Sequence, residues 1–287
     1  MLDKNLSKLS KIIIYLVLIF FSVILVSPFI YMISMALASP ESNIKQTFTV
    51  IPKEFYWSNF VNLFTGNADK PVGHWLMNSL FIIVLSIIGQ IFSSTIVAYG
   101  FAKMRYKHKN KLFFLLLSTM MLPGQITLIP VFVIFKDLGL YNSLWPLIIP
   151  QFFGSAYNIF FTRQFMTSIP SSLYEAAEID GLGYFGIYRK IVFPLLKPAV
   201  CAIAIFTFNA QWGDIMGPLI YTSDVNKMTM ALGAQVLSAS SNPTGQLNMS
   251  ILMCMSVVLT IPQVLIYFFG QKYLFQINIS VGNSGTK

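Results

Sequence analysis

The sequence predicts an all-α integral membrane protein with six transmembrane helices, and three observations carry that prediction. Of its 287 residues, 55% are hydrophobic and only 10% charged, whereas soluble globular chains hold about 45–50% and about 25%. The apolar residues come in long runs rather than periodic faces, the pattern of segments that meet lipid. The charge balance also alternates along the chain. With spans at about 12–38, 75–99, 112–135, 144–161, 199–221 and 249–270, one set of segments is basic: the N-terminus, loop 100–111, loop 162–198 and the tail. These carry 14 Lys and Arg against Asp3, Glu175, Glu178 and Asp180. The other loops balance five Lys against five acids, and Asp214 lies within a span. A split of +10 against zero is the positive-inside pattern and predicts both termini in the cytoplasm. The net charge of +9 therefore reports orientation beside anionic lipid rather than a nucleic-acid partner. Its sharpest marker is the cluster Lys103, Arg105, Lys107, Lys109 and Lys111.

The first span follows Lys4, Lys8 and Lys11 and runs through Pro28 to Ala36-Leu37-Ala38, which resembles a signal-peptidase site. A secretory apolar core is about 7–15 residues, and this run is nearly twice that, so it reads as an uncleaved helix. Loop 39–74 reads as a short structured cap with Phe55, Tyr56, Trp57 and Phe60 at the interface. The second span sets Ser79, Ser86, Gln90 and Ser93 on one helical face. Small polar residues of this kind pack helices together, with pathway lining as the alternative. Spans three and four look broken, by Pro123-Gly124 and Pro130 in one and by Pro146 and Pro150 in the other. Gln151 and Asn158 add polarity to the fourth. Interrupted helices persist at membrane depth only where protein or a watery cavity takes up the freed backbone groups, which favours a transport core over an anchor.

Asn209, Gln211, Trp212 and Asp214 form a polar cluster near the far end of span five. A carboxylate there faces a cavity or partner, lining a translocation path, or else reaches the headgroup region. Loop 222–248 reads as polar and external, and span six as apolar apart from Thr260, Pro262 and Gln263. Cys201 and Cys254 fall at opposite ends of a membrane crossing, beyond disulfide reach. With His74 and His108 on opposite sides, no metal-ligand spacing arises.

Loop 162–198 holds the most informative stretch, Ile169-Pro170-Ser171-Ser172-Leu173-Tyr174-Glu175-Ala176-Ala177-Glu178-Ile179-Asp180-Gly181. Pro170 starts a turn, Ser172 with Glu175 suits a capping box, and the acids suit the positive end of a helix. Ala176 and Ala177 present a bare face, and Gly181 suits a left-handed helix end. The reading is a short surface helix made to sit in another protein's groove. An interfacial helix on the bilayer is the weaker reading, because three acids would face anionic headgroups.

Glu175-Ala176-Ala177, then Gly181, Ile191 and Phe193-Pro194 at the spacing seen here resemble the loop shared by permease subunits of binding-protein-dependent ABC importers. Phe193 stands where Leu is usual. Leu122-Pro123, Ile129-Pro130, Gly139-Leu140 and Leu144-Trp145 are similar to the family's third and fourth helices. Trp212, Asp214, Pro218 and Leu219 are similar to the fifth helix of its carbohydrate branch, the maltose-transporter type. The resemblance implies one permease domain over residues 1–287, a type I ABC-importer fold with a cytoplasmic coupling helix. It implies that Glu175, Ala176, Ala177, Asp180 and Gly181 couple to a cytoplasmic ATPase dimer, with Ile191 and Pro194 shaping the return into span five. The implied partners are that ATPase, a sister permease and an extracytoplasmic solute-binding protein, and the implied cargo is a sugar or oligosaccharide. The sequence has no Gly-rich phosphate loop, so ATP and Mg are expected on the ATPase, with no cofactor, metal or catalytic residue here. The same family with another polar solute, such as glycerol-phosphate, is the main rival. A secondary transporter would want ionisable groups at midplane, and an intramembrane hydrolase a nucleophile and base at depth.

Overall fold

A computed structural model describes residues 7–39, 54–65, 71–239 and 249–282, and every regular element among them is helical. In order these are α1 (Lys8–Ala36), α2 (Ser58–Thr65), α3 (Val72–Lys103), α4 (Lys109–Thr119), α5 (Gly124–Asp137) and α6 (Trp145–Ile148). After a 3-10 turn (Ile149–Phe153) come α7 (Ala156–Thr167), α8 (Ser171–Ile179) and α9 (Tyr184–Leu195), the last containing a π turn (Tyr188–Val192). Then follow α10 (Lys197–Trp212), α11 (Met216–Tyr221), α12 (Met230–Ala239) and α13 (Met249–Gly282).

Among the described residues, three helices are long and apolar enough to cross a membrane: Lys8–Ala36, Val72–Lys103 and Met249–Lys272. The number rises to five if two bent pairs each count as a span: Lys109–Thr119 with Gly124–Asp137 (94°) and Tyr184–Leu195 with Lys197–Trp212 (75°). The first bend falls at Pro123-Gly124, where the sequence is broken as expected. The fourth expected span, 144–161, is not one helix. It divides into α6, the 3-10 turn and α7, because Pro146 and Pro150 lack amide donors and Gly154 turns left-handed at φ +75°. The fifth, 199–221, is interrupted between Trp212 and Met216.

The chain divides into two units, residues 1–68 with 236–260 and residues 69–235 with 261–287. In the first, the carbonyls at the end of α1 have no intrahelical donors and draw side chains from elsewhere. Asn59 Nδ2 donates to Ala36 O and Ala38 O, each at 2.9 Å. Cys254 Sγ reaches Ala36 O at 3.3 Å, so this thiol is a packing residue, and both cysteines are free. The apolar stretch of α1 is exposed along its length, as a helix in lipid requires. The cap expected over 39–74 is partly described: Phe55 and Trp57 stand exposed beside α2, and residues 40–53 and 66–70 lie outside the described residues.

In the second unit α3 is the spine, with α7, α10 and the 3-10 turn packed along it. The polar face of α3 is buried: Ser79, Ser86, Gln90 and Ser93 are at most 7% exposed, so they face the packed interior rather than an open pathway in this state. At one end Trp75 Nε1 donates to Val225 O (2.7 Å), and Asn78 Nδ2 to Asn226 O (2.7 Å). Ser79 Oγ accepts from Met230 N (2.8 Å), and Gly233 lies directly on the Trp75 ring, where a Cβ would not fit. This corrects the reading of 222–248 as a plain polar loop. Its first half folds back as α12, which buries Met230 and Leu232.

Candidate coupling surface and polar span residues

Local sequence builds α8, though not by the expected start. Pro170 is the N-cap, extended at φ −53° and ψ 136°, and no side chain caps the helix. The capping box of Ser172 with Glu175 is absent, because the helix begins one residue earlier at Ser171 and carries no acid in its first turn. The far end is as read. Gly181 takes φ +79°, Leu182 N donates to Ala177 O and Gly181 N to Glu178 O, both at 3.0 Å. That bond pair is the Schellman arrangement, and Leu182 joins Ala177 in the same apolar cluster, as the motif favours.

The two alanines part company. Ala176 is exposed, whereas Ala177 is 2% exposed and faces the chain's own core. The bare face expected of both therefore belongs to Ala176 alone. Ala177 lies one turn on from Tyr174, and that face packs on Tyr99, Ile169, Ile187 and Met166. The outward face carries Leu173, Glu175, Ala176, Glu178, Ile179 and Asp180, with Ile179 86% exposed.

Lys103, the last residue of α3, holds α8 from beneath. Its Nζ lies 3.7 Å from the centre of the Tyr174 ring and 3.4 Å from Ile169 O, a charged contact worth about 0.5–2 kcal/mol. Burial, and secondarily Tyr99, push the Tyr174 phenol above its ordinary pKa. Tyr99 OH donates to Tyr184 O (3.1 Å), and Thr95 Oγ1 and Tyr188 OH share a bond of 2.8 Å. Thus α8 and α9 are joined to three successive turns of α3. Ile191 is half-buried against the same cluster, and Pro194 is exposed just before the 75° bend into α10.

The four polar residues at the end of α10 do not share one face. Asn209 is exposed and Gln211 half-buried, while Trp212 is 2% exposed and stacks on Phe208 at 5.5 Å. Asp214 is half-buried, and its Oδ1 accepts from Gly217 N at 3.1 Å at the start of α11. A Cβ on Gly217 would strike that carboxylate and Leu147. Among the described residues no group of three or more His, Cys, Asp or Glu could hold a metal ion.

Residues 94–276, which contain α8, α9 and the bent spans, match the family described as binding-protein-dependent transport system inner membrane component. The chain belongs to this family. As such a component it is a multi-pass membrane protein and a transport subunit. It is 33% identical over 93% of its length to the polygalacturonan/rhamnogalacturonan transport system permease protein YtcP of Bacillus subtilis, covering 95% of that protein. Identity is 32% with the arabinooligosaccharides transport system permease protein AraQ of Bacillus subtilis, over 80% of this chain and 79% of that one. It is 29% with the sn-glycerol-3-phosphate transport system permease protein UgpE of Yersinia pestis, over 85% and 87%. A bacterial ABC transporter that imports the acidic polysaccharide alginate has a chain of the same fold, with TM-score 0.82 and 22% identity over 94% of this permease and 99% of that chain.

One constellation in the permease escaped sequence reasoning. Gln90, Gln151 and Asn158 were each visible as polar residues in spans, but not as a set. Gln90 Nε2 donates to Gln151 Oε1 (2.9 Å), and Gln90 Oε1 accepts from Asn158 Nδ2 (3.0 Å). Helical spacing could not have found the set, because the break at Gly154 and Ser155 lies between Gln151 and Asn158 and brings both to Gln90.

Proposed function

We propose that this chain is the six-span permease subunit of an ATP-driven importer, moving a sugar or oligosaccharide delivered by a solute-binding protein. It sits in the plasma membrane of a prokaryote with both termini and loops 100–111 and 162–198 in the cytoplasm. It acts with a cytoplasmic ATPase dimer, which holds ATP and Mg, and with a sister permease as a heterodimer. The fourth span, needed beside the other five, is the broken segment α6 to α7, whose helical pieces are each too short to cross alone.

The observation that carries this reading is the joining of α8 to α3. Helix α8 presents Leu173, Ala176 and Ile179 outward, a small apolar patch flanked by Glu175, Glu178 and Asp180. Its inward face is held by Lys103 and packs in one cluster with Tyr99. The following helix α9 is bonded by Tyr99 and Thr95, and all three lie on a helix of 32 residues, about 48 Å long. Packed interiors yield by switching between arrangements rather than by compressing. Closure of an ATPase on α8 would therefore move α3 as a lever, and the two rigid states would be biased by ATP at one end and loaded binding protein at the other. Glu175, Ala176, Asp180 and Gly181 form the coupling element, Ala177 its anchor, and Ile191 and Pro194 the return. Asn209, Gln211 and Asp214 border the translocation path, with Trp212 packed behind them.

The sugar cargo rests on the relatives above 30% identity, whose names give galacturonan and arabinose oligomers. Glycerol-3-phosphate is the second reading, favoured by the UgpE relatives. The deciding experiment reconstitutes the permease pair with its ATPase and purified binding protein in vesicles. Uptake is measured for oligogalacturonides, arabino-oligosaccharides and glycerol-3-phosphate. ATP-dependent accumulation of an oligosaccharide is expected. Accumulation of glycerol-3-phosphate alone would replace the cargo, and uptake without ATP would sink the reading.

A further inference from the structure

Two apolar cores lie along α3, and a polar layer separates them. One holds Ile82 with Phe135, Leu147, Ile148 and Tyr221. The other holds Ala98 and Tyr99 with Ile159, Tyr174 and Ala177. Between them α3 carries Ser86, Gln90, Ser93 and Ser94, each at most 7% exposed. The layer coincides with the break in the fourth segment. Gly89 leaves room for the 3-10 turn, since a Cβ there would meet the Phe152 ring at 2.8 Å and the Gln151 backbone at 3.1 Å.

A helix break at membrane depth strands backbone groups that no water satisfies. Gln90 does so here. Its Oε1 accepts from Ser155 N (3.1 Å), Asn158 Nδ2 (3.0 Å) and Ser94 Oγ (3.2 Å), and its Nε2 donates to Gln151 Oε1 (2.9 Å). Ser93 Oγ adds a bond to Gly89 O (2.6 Å) and reaches Gln151 O at 3.3 Å. One side chain thus bonds both sides of the break, the piece seated in the first core and the piece seated in the second.

The layer also holds two groups in excess. Ser86 Oγ and Asn158 Oδ1 are buried and have no partner among the described residues. A buried polar atom without a partner is costly in a low-dielectric interior. Packed cores tolerate such a cost where a second arrangement removes it. We infer that this layer is the joint of the transport cycle, with Gln90 its positioning residue and Ser86 and Asn158 engaged in the alternate state. The inference rests on the importer reading above. The described state is held by the Gln90 bonds and opposed by the idle Ser86 hydroxyl.

Removing each group therefore has opposite consequences. Ser86→Ala deletes a hydroxyl that costs this state and serves the other, so it favours the described state. Gln90→Leu deletes bonds that this state alone makes, so it favours the other. Gln90→Glu keeps the acceptor for Ser155 N and Asn158 Nδ2 and is expected to stay nearer wild type than Gln90→Leu. The measurement is ATP hydrolysis by the complete importer in lipid nanodiscs, with and without loaded binding protein. We expect Ser86→Ala to change the stimulation ratio about fivefold, the shift that one net hydrogen bond produces. Gln90→Leu is expected to move that ratio the opposite way. A wild-type importer without stimulation overturns the importer reading and the joint with it. A stimulated wild type with an unchanged Ser86→Ala overturns the joint alone, whether or not Gln90→Leu assembles. Both variants shifting in one direction would mark a merely structural role and also overturn it.

Discussion

Gly181 isolates the contribution of backbone geometry at the coupling helix. Its φ of +79° lies in the left-handed region, and no atom stands within 4 Å of the place a Cβ would take. A side chain here meets no neighbour, so the whole cost is conformational. It is about 1–2 kcal/mol for an ordinary L-residue, more for a β-branched one and little for Asn. The chain can relieve that strain by unwinding the helix end, which opens the Leu182–Ala177 and Gly181–Glu178 bonds and draws Leu182 from the core. Docking on the ATPase must then re-form the end against the strain. One or two kcal/mol is a factor of about 5–30 in the docking equilibrium. The assay titrates purified ATPase onto the permease pair carrying Gly181→Asn, Gly181→Ala or Gly181→Val. Affinity is expected to fall in that order, with Ala weakened about 5–30-fold and Val further. Wild-type affinity for Ala and Val would refute the coupling role. Asn as damaging as Val would refute the argument from left-handed geometry.

The paired alanines should fail differently. Ala177→Trp overpacks the chain's own core at about 1–3 kcal/mol or more, lowering the yield and thermal stability of the permease itself. Ala176→Trp, on the exposed face, should leave both intact and reduce ATPase co-purification. Asp214→Asn should keep the bond to Gly217 N and normal assembly, whereas Asp214→Leu should lose about 0.5–1.5 kcal/mol of stability with that bond. Slowed uptake by Asp214→Asn at normal assembly would place the charge on the path, and normal uptake would confine Asp214 to its bond with Gly217 N. Single cysteines at Asn110 and Ser171, in a background without Cys201 and Cys254, should resist a membrane-impermeant thiol reagent added outside intact cells. Labelling there would invert the topology.

Membrane residence and helical class were legible in the sequence because the bilayer acts on each segment by itself. A run such as Ile12–Ala36 must satisfy its own backbone bonds wherever its neighbours lie. The left-handed end at Gly181 was legible for the same reason, since the cap is closed by bonds within six residues. The start of α8 was local too, but two local signals competed. The extended conformation of Pro170 starts the helix at Ser171, ahead of the Ser172 box. What only the tertiary structure decided is which face of each helix meets protein. Ala176 and Ala177 are adjacent and chemically identical, and only the arrival of Tyr99 and Lys103, some 70 positions upstream, buries one and leaves the other free. Gln90 finds its partners across the break 61 to 68 residues away. In lipid the apolar background is the same on every side of a helix, so apart from a polar stripe such as Ser79, Ser86, Gln90 and Ser93 no periodicity marks the inner face in advance. Only close packing and hydrogen bonds between segments select it.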